Sequence, residues 1–129
     1  LPRMKSDLYP YIEASINQEL DKMPELIWSN QFALCVILSS VGYPNKYPIN
    51  EKISGVEQVL KIPDVYVFHS GTKMEKNILM TNGGRVLGIT SLNKNLNKAI
   101  KHAYNAVNFI KWDNIYFRND VGSKALKYL

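Results

Sequence analysis

The sequence predicts an α+β fold in which a mainly antiparallel, four-stranded sheet packs with two helices. Its 129 residues fit one compact domain. Hydrophobic residues make up 46% and charged residues 21%, an ordinary globular balance that excludes intrinsic disorder. The predicted elements follow the order α, β, β, β, β, α, and the turn signals between the strands favour an antiparallel sheet.

The two helices are predicted near the two ends of the chain. The first begins at Ser6 or Asp7, either of which can cap it, and ends at Pro24. Apolar side chains recur in it every three or four residues, which predicts one buried stripe: Leu8, Ile12, Ile16, Leu20 and Met23. The second helix is capped by Ser91 or Asn93. Its stripe is Leu96, Ala99, Ile100, Ala103, Tyr104, Val107 and Ile110.

Four segments predict strands, over residues 32–39, 64–70, 77–81 and 85–90. The first is almost continuously apolar, which predicts a strand covered on both faces and a buried, inert thiol at Cys35. Residues 71–73 are expected to open a turn. The last two strands are joined through Asn82-Gly83-Gly84, which is typical of a β-hairpin because Asn and Gly tolerate positive φ. A short helix over residues 53–60 and a last short strand over residues 115–117 are compatible with the pattern.

Charge is distributed unevenly along the chain. Residues 1–64 carry six Lys or Arg against eight Asp or Glu, whereas residues 65–129 carry ten against three. Such a basic half favours an anionic partner: a phosphorylated small molecule, a nucleic acid or an acidic protein surface. The alternative is that the basic residues bind no partner and only form the solvent-exposed face of a helix. Lys94, Lys98 and Lys101 fall on one side of the second helix.

Several classes of protein are excluded or disfavoured. The longest apolar run, residues 32–38, is too short to span a bilayer, and no secretory leader is recognisable. One Cys and two His make a poor zinc ligand set. A cytoplasmic domain is therefore expected, and the Leu-Pro-Arg start suggests a cut through a longer polypeptide.

Three segments rich in Gly and polar residues follow predicted strands, at residues 42–44, 68–73 and 81–85. Tyr43 and residues 81–85 are expected to meet on one rim of the sheet, whereas residues 70–73 and Arg85 are not expected at the same turn. The N–H groups of Gly83 and Gly84, with the guanidinium fork of Arg85, would suit a phosphate. The alternative is a plain hairpin turn followed by a solvated arginine. His69 is a possible general base, although an ordinary hydrogen-bonded strand histidine fits as well.

These segments resemble, in order and spacing, the carboxyl-terminal part of the phosphoribosylamine–glycine ligase family. The similar stretches are residues 1–8 (LPRMKSDL), 42–44 (GYP), 67–73 (VFHSGTK), 81–88 (TNGGRVLG), 99–106 and 116–122 (YFRNDVG). The sequence departs from the family at Val41, where Gly is usual, and at Ser70, where Ala is usual.

The resemblance implies an ATP-grasp ligase that joins glycine to 5-phosphoribosylamine in purine synthesis, with Mg²⁺ or Mn²⁺ bridging the ATP phosphates. It places residues 1–30 at the end of the central ATP-grasp region and residues 31–129 in the carboxyl-terminal domain. The catalytic and metal-binding residues would then lie upstream, so that this fragment is expected to be inactive and to hold no ATP or metal. Its expected partners are the upstream lobes and the small-molecule substrates.

The same resemblance assigns phosphoribosylamine binding to this chain. Arg85 would bind the phosphate or ribose, and Asn82, Gly83 and Gly84 would shape the turn. Tyr43 and Lys73 are secondary candidates. Arg3 and Lys5 would lie near the metal and phosphate region.

Two alternatives remain at this stage. The first is a free-standing basic module that binds nucleic acid, although no exposed interleaving of aromatic and basic residues stands out. The second is a structural domain that docks on a separate ATP-binding subunit, which an exposed apolar patch on the first helix or near Trp28 would support.

Overall fold

A computed structural model describes residues 1–128 of the chain. Its helices are α1 (Tyr9–Ile16), α2 (Val56–Val59) and α3 (Leu96–Val107), with single 3-10 turns at Leu20–Lys22 and Ala125–Tyr128. Its strands are β1 (Phe32–Ser40), β2 (Val65–His69), β3 (Thr72–Glu75), β4 (Ile78–Thr81), β5 (Arg85–Asn93) and β6 (Ile115–Tyr116).

The four-stranded antiparallel sheet is confirmed, in the order β2-β5-β1-β6. Its membership differs from the expectation, because the predicted third strand lies outside it. That strand is β4, which pairs with β3 in a separate two-stranded sheet, so residues 72–75 form a strand rather than a turn. The short strand β6 takes the fourth place in the main sheet.

The hairpin predicted at Asn82-Gly83-Gly84 is wrong. The hairpin turn lies instead at Lys76 and Asn77, where two successive residues have φ of 48° and 63°. Two positive φ angles make the turn whose twist matches the flanking strands, and this turn joins β3 to β4. Residues 82–84 therefore connect one sheet to the other.

Helix α3 covers one face of the main sheet and contributes Ala99, Ala103, Ala106 and Val107 to the core. Its predicted apolar stripe faces the core, with Ala99, Ala103 and Val107 fully inaccessible and Ile100 and Tyr104 partly buried. Its cap is Asn95, whose side chain accepts a hydrogen bond from the Lys98 N–H at 3.1 Å, because β5 continues through the two predicted caps.

The prediction that β1 is covered on both faces is also wrong. Leu34, Val36 and Leu38 are buried under α3, whereas Cys35 and Ile37 on the opposite face are exposed. A continuous apolar run does not distinguish one-sided from two-sided burial when the outward face is apolar too.

Residues 1–30 stand apart from this core. The core cluster, including the residues packed at its edge, comes from residues 34–121. Helix α1 buries only Ala14, and the predicted stripe is exposed except for the half-buried Met23, with Ile16 at 77%. The expectation of two packed helices is therefore correct for α3 and wrong for the first helix. The segment is held mainly to itself, through a bridge between Met4 and Trp28.

Among residues 1–128, no helix has the length and apolar character needed to cross a membrane.

Candidate functional site

Three loops meet at one end of the main sheet, and they are the three segments that the sequence singles out. The Gly71 N–H donates to the Arg85 carbonyl at 2.8 Å, and the Asn82 N–H donates to the Gly71 carbonyl at 2.7 Å. The Ser40 N–H donates to the Gly84 carbonyl at 2.8 Å, which fixes the start of the Tyr43 loop beside residues 82–85. Residues 70–71 thus lie directly beside Arg85, contrary to expectation, because β2 and β5 are adjacent strands of the same sheet.

Two glycine contacts allow this close approach. A Cβ on Gly84 would lie 1.9 Å from Cδ2 of the Tyr43 ring, so the ring packs directly on the glycine backbone. A Cβ on Gly71 would lie 2.7 Å from the Gly83 Cα. Distances under 3 Å cannot be accommodated without movement, so packing requires glycine at both positions.

Arg85 emerges from this junction beside Tyr43. Its guanidinium carbon lies 5.9 Å from the centroid of the Tyr43 ring, within the range of a cation–π contact. Within residues 1–128, the guanidinium takes part in no hydrogen bond or ion pair. An exposed guanidinium braced by an aromatic ring retains all its donors for an anion.

A shallow groove of about 330 Å³ adjoins Arg85 on the outward face of the sheet. Its polar wall is formed by Arg85, His69 and Ser70 and its floor by apolar side chains and Gly88. The His69 Nδ1 lies 3.0 Å from the Thr72 hydroxyl, in an ordinary local hydrogen bond. The arrangement can hold an anion at one end of an apolar surface.

The other predicted site residues lie elsewhere. Lys73 forms an ion pair of 3.0 Å with Glu75 on the small sheet and lines a different recess. Arg3 donates through Nε and Nη2 to the Ser29 carbonyl, at 3.2 Å in each case. Lys5 is exposed, and its backbone N–H bonds to Ile27. The structure therefore brings together Tyr43, residues 82–84 and Arg85.

Behind the site, hydrogen bonds of Glu51 connect two of the loops, and no sequence pattern predicts them. We call this set of hydrogen bonds the bracket. The Glu51 carboxylate accepts hydrogen bonds from the backbone N–H of Asn114, at 3.2 Å, and from its side-chain amide. The Glu51 N–H donates to the Thr81 hydroxyl at 3.0 Å, and the Asn114 carbonyl accepts from the Val41 N–H at 2.8 Å. Glu51 thus connects the two loops: its backbone bonds to Thr81, and its carboxylate bonds to Asn114, which in turn holds Val41. Contacts across 63 residues leave no local sequence pattern.

Among the residues that the structure describes, no three His, Cys, Asp or Glu side chains converge as metal ligands would.

Comparison with known proteins places this geometry in a family. Residues 33–124 match the family model described as "Phosphoribosylglycinamide synthetase, C domain". The chain is 40% identical over 126 residues to a phosphoribosylamine–glycine ligase of Synechocystis, covering 98% of this chain and 30% of that protein. It is 43% identical over 126 residues to the ligase of the same name from Halalkalibacterium halodurans, covering 98% of this chain and 28% of that protein.

A solved structure gives the same fold. The crystal structure of phosphoribosylamine–glycine ligase from Thermotoga maritima matches with a TM-score of 0.66 and 24% identity, covering 88% of this chain and 28% of that one. The chain thus spans less than a third of the length of these relatives. Because the family model for the C domain covers most of the chain, the protein belongs to the phosphoribosylamine–glycine ligase family and corresponds to its carboxyl-terminal domain.

Proposed function

We propose that this chain is the carboxyl-terminal part of an ATP-grasp ligase that joins glycine to 5-phosphoribosylamine. The products are glycinamide ribonucleotide, ADP and phosphate, and ATP with Mg²⁺ or Mn²⁺ is the expected cofactor of the intact enzyme. The observation that carries the proposal is the match of residues 33–124 to the C domain of this family. The proposed compartment of the ligase is the cytoplasm.

Arg85 is the residue proposed to bind the phosphate of phosphoribosylamine. Its position is supported by the hydrogen bonds of Gly71 to the Arg85 carbonyl and of Asn82 to Gly71, and by its contact with Tyr43. The N–H groups of Gly83 and Gly84 donate no hydrogen bond within residues 1–128, and they are proposed to donate to the same anion. A guanidinium with two backbone N–H groups matches the charge and the acceptor geometry of a phosphate.

Secondary roles are proposed for the remaining candidates. Tyr43 braces the Arg85 side chain and Asn82 shapes the turn. Lys73 would act from the neighbouring recess. Arg3 and Lys5 lie in the segment of residues 1–30, and they would approach the ATP phosphates and metal from there.

Residues 1–30 are proposed to be the end of the central ATP-grasp region and residues 31–129 the carboxyl-terminal domain. The proposal is supported by the separation of the first 30 residues from the core cluster. It is also supported by the exposure of Ile12, Ile16 and Trp28, which a neighbouring lobe would cover. The same exposed patch favours the second candidate function, a structural domain that docks on a separately encoded ATP-binding subunit.

The test of the proposed function uses the intact ligase. The purified enzyme should form ADP only when ATP, glycine and phosphoribosylamine are all present, whereas the isolated chain should form none. Calorimetric titration of the isolated chain with ATP and magnesium should give no binding heat. ADP formation that does not depend on phosphoribosylamine would contradict the proposed reaction. Saturable micromolar ATP binding by the isolated chain would contradict the upstream placement of the ATP site.

A further inference from the structure

The outward face of the main sheet is uncovered beside the site. On β1, Leu34, Val36 and Leu38 point to α3, whereas Cys35 and Ile37 point away from it, and Ile37 is 46% exposed. Strand alternation gives β2 the same pattern, with Phe68 outward and 42% exposed. The register places Ile37 and Phe68 on either side of Gly88, so these residues share one surface.

This surface is continuous. Around the position that a Cβ on Gly88 would occupy, the Cys35 Sγ lies at 3.3 Å, the Ile37 Cδ1 at 3.5 Å and the Phe68 Cβ at 3.7 Å. These four residues make the apolar part of the groove that ends at Arg85. We call this surface, formed by Cys35, Ile37, Phe68 and Gly88, the outward patch. Contiguous apolar surface of this kind, bordered by polar residues, is typical of an interaction site.

We propose that the upstream part of the same ligase polypeptide covers the outward patch, an inference that rests on the proposed function. The length of the relatives supports this occupant, since the chain accounts for 30% of the Synechocystis ligase and 28% of the Halalkalibacterium halodurans ligase. The patch also adjoins Arg85. A substrate held by Arg85 must meet ATP and glycine bound upstream, so the upstream lobes must approach this edge of the sheet.

A second copy of the chain fits the patch less well. Pairing through a two-fold axis at this patch would bring the Arg85 guanidinium groups of both copies towards one interface, where like charges repel.

Cys35 allows a direct test, because it is the single cysteine of the chain and lies exposed on the outward patch. Its alkylation by a maleimide is measured by peptide-resolved mass spectrometry, in the isolated chain and in the active intact ligase. We expect alkylation to be at least about tenfold slower in the intact ligase, because packing excludes the reagent. A cooperative thermal melt of the isolated chain serves as a control, because it shows that the alkylation rate of the isolated chain is measured on a folded protein.

Two results would overturn the inference. Equal alkylation rates in an intact ligase that makes glycinamide ribonucleotide would show an uncovered patch, while the proposed function would stand. If the alkylation of Cys35 in the isolated chain became slower as the protein concentration rose, the outward patch would be covered by a second copy of the chain instead. An intact ligase in which Cys35 is protected but no glycinamide ribonucleotide forms would instead remove the proposed function and leave the interface in place.

A matched pair of variants extends the test. Phe68→Asp changes the outward patch, and Phe109→Asp changes a phenylalanine that is 50% exposed, just after α3. In the intact ligase, Phe68→Asp should raise the alkylation rate of Cys35 about tenfold or more, whereas Phe109→Asp should leave it unchanged. Equal effects of the two variants would overturn the inference. If Phe68→Asp prevents folding of the isolated chain, Ile37→Ser provides the same comparison with a smaller change.

Discussion

Replacement of Gly84 by alanine should destabilise the domain through a single contact, the one with Tyr43. The new Cβ would lie 1.9 Å from Cδ2 and 2.5 Å from Cε2 of the ring, well inside any tolerated separation. Gly84 is not among the glycines with positive φ, so alanine suits its backbone and the cost is steric. Overpacking of this kind costs about 1–3 kcal/mol.

The half-exposed ring can relieve part of this clash by moving outward, but it then leaves Arg85. Loss of an exposed cation–π contact costs about 0.5–1 kcal/mol, which sets the lower bound of the effect. We therefore expect Gly84→Ala to lower the free energy of unfolding by about 1–2 kcal/mol. For a domain of this size, that corresponds to a fall in Tm of roughly 4–10 °C.

A double-mutant cycle isolates the contact. Thermal and urea unfolding are measured for the unmutated chain, Gly84→Ala, Tyr43→Ala and the double variant. In the Tyr43→Ala background, the cost of Gly84→Ala should disappear, because the ring that it strikes is gone. Gly88→Ala, on strand β5 four residues further along, is the matched control, since its Cβ would meet only side chains at 3.3 Å or more. An equal cost of Gly84→Ala with and without the Tyr43 ring would refute the reasoning.

Three further predictions concern the core, the bracket and an exposed ion pair. Leu34→Ala should cost about 2–5 kcal/mol and Val36→Ala somewhat less, because both side chains are buried against α3; a non-cooperative melt of the unmutated chain would contradict an independent core. Glu51→Gln should lower the free energy of unfolding by about 1–2 kcal/mol, since a neutral amide replaces the charged acceptor of both Asn114 donors. A Tm equal to that of the unmutated chain would show that the hydrogen bonds of Glu51 do not stabilise the domain. The hydrogen bond and the charge of Arg118 lower the pKa of Asp120, so the stability that this pair contributes is present above the ordinary carboxyl pKa and is lost as the pH falls through the lowered value. Arg118→Ala should raise the pKa of Asp120 in an NMR titration. An unchanged pKa in this variant would show that Arg118 is not the cause of the shift.

Elements with one dominant sequence signal were predicted correctly. Helix α3 has a complete apolar stripe, and β5 has the small and β-branched residues of a central strand, so both were found within a few residues. The antiparallel arrangement followed from the order of the elements. Each of these predictions depends on the spacing of apolar residues along the chain, which can be read from the sequence alone.

The errors arise where two local signals compete or where burial depends on a neighbour. Asn82-Gly83-Gly84 has the stronger hairpin composition, but Lys76 and Asn77 adopt the positive φ angles of the turn. Apolar side chains do recur along α1, yet Ile12 and Ile16 are exposed because nothing within residues 1–128 covers them. For the candidate site, Tyr43 and Arg85 were placed on one rim correctly, whereas the approach of Gly71 depends on the pairing of β2 with β5. Glu51 acts across 63 residues and has no local signature.

The central claim is that Arg85 holds the phosphate of phosphoribosylamine in the intact ligase, and steady-state kinetics of Arg85→Ala tests it most directly. A charge-assisted, bidentate contact contributes about 1.5–3 kcal/mol, so kcat/KM for phosphoribosylamine should fall about ten- to a hundred-fold. The KM values for ATP and glycine should stay within about twofold, and Arg85→Lys should recover only part of the loss because it lacks the fork. A thermal melt run alongside separates this from a general loss of structure. Unchanged kcat and KM for phosphoribosylamine in Arg85→Ala, or an equal loss for all three substrates with a lowered Tm, would contradict the claim.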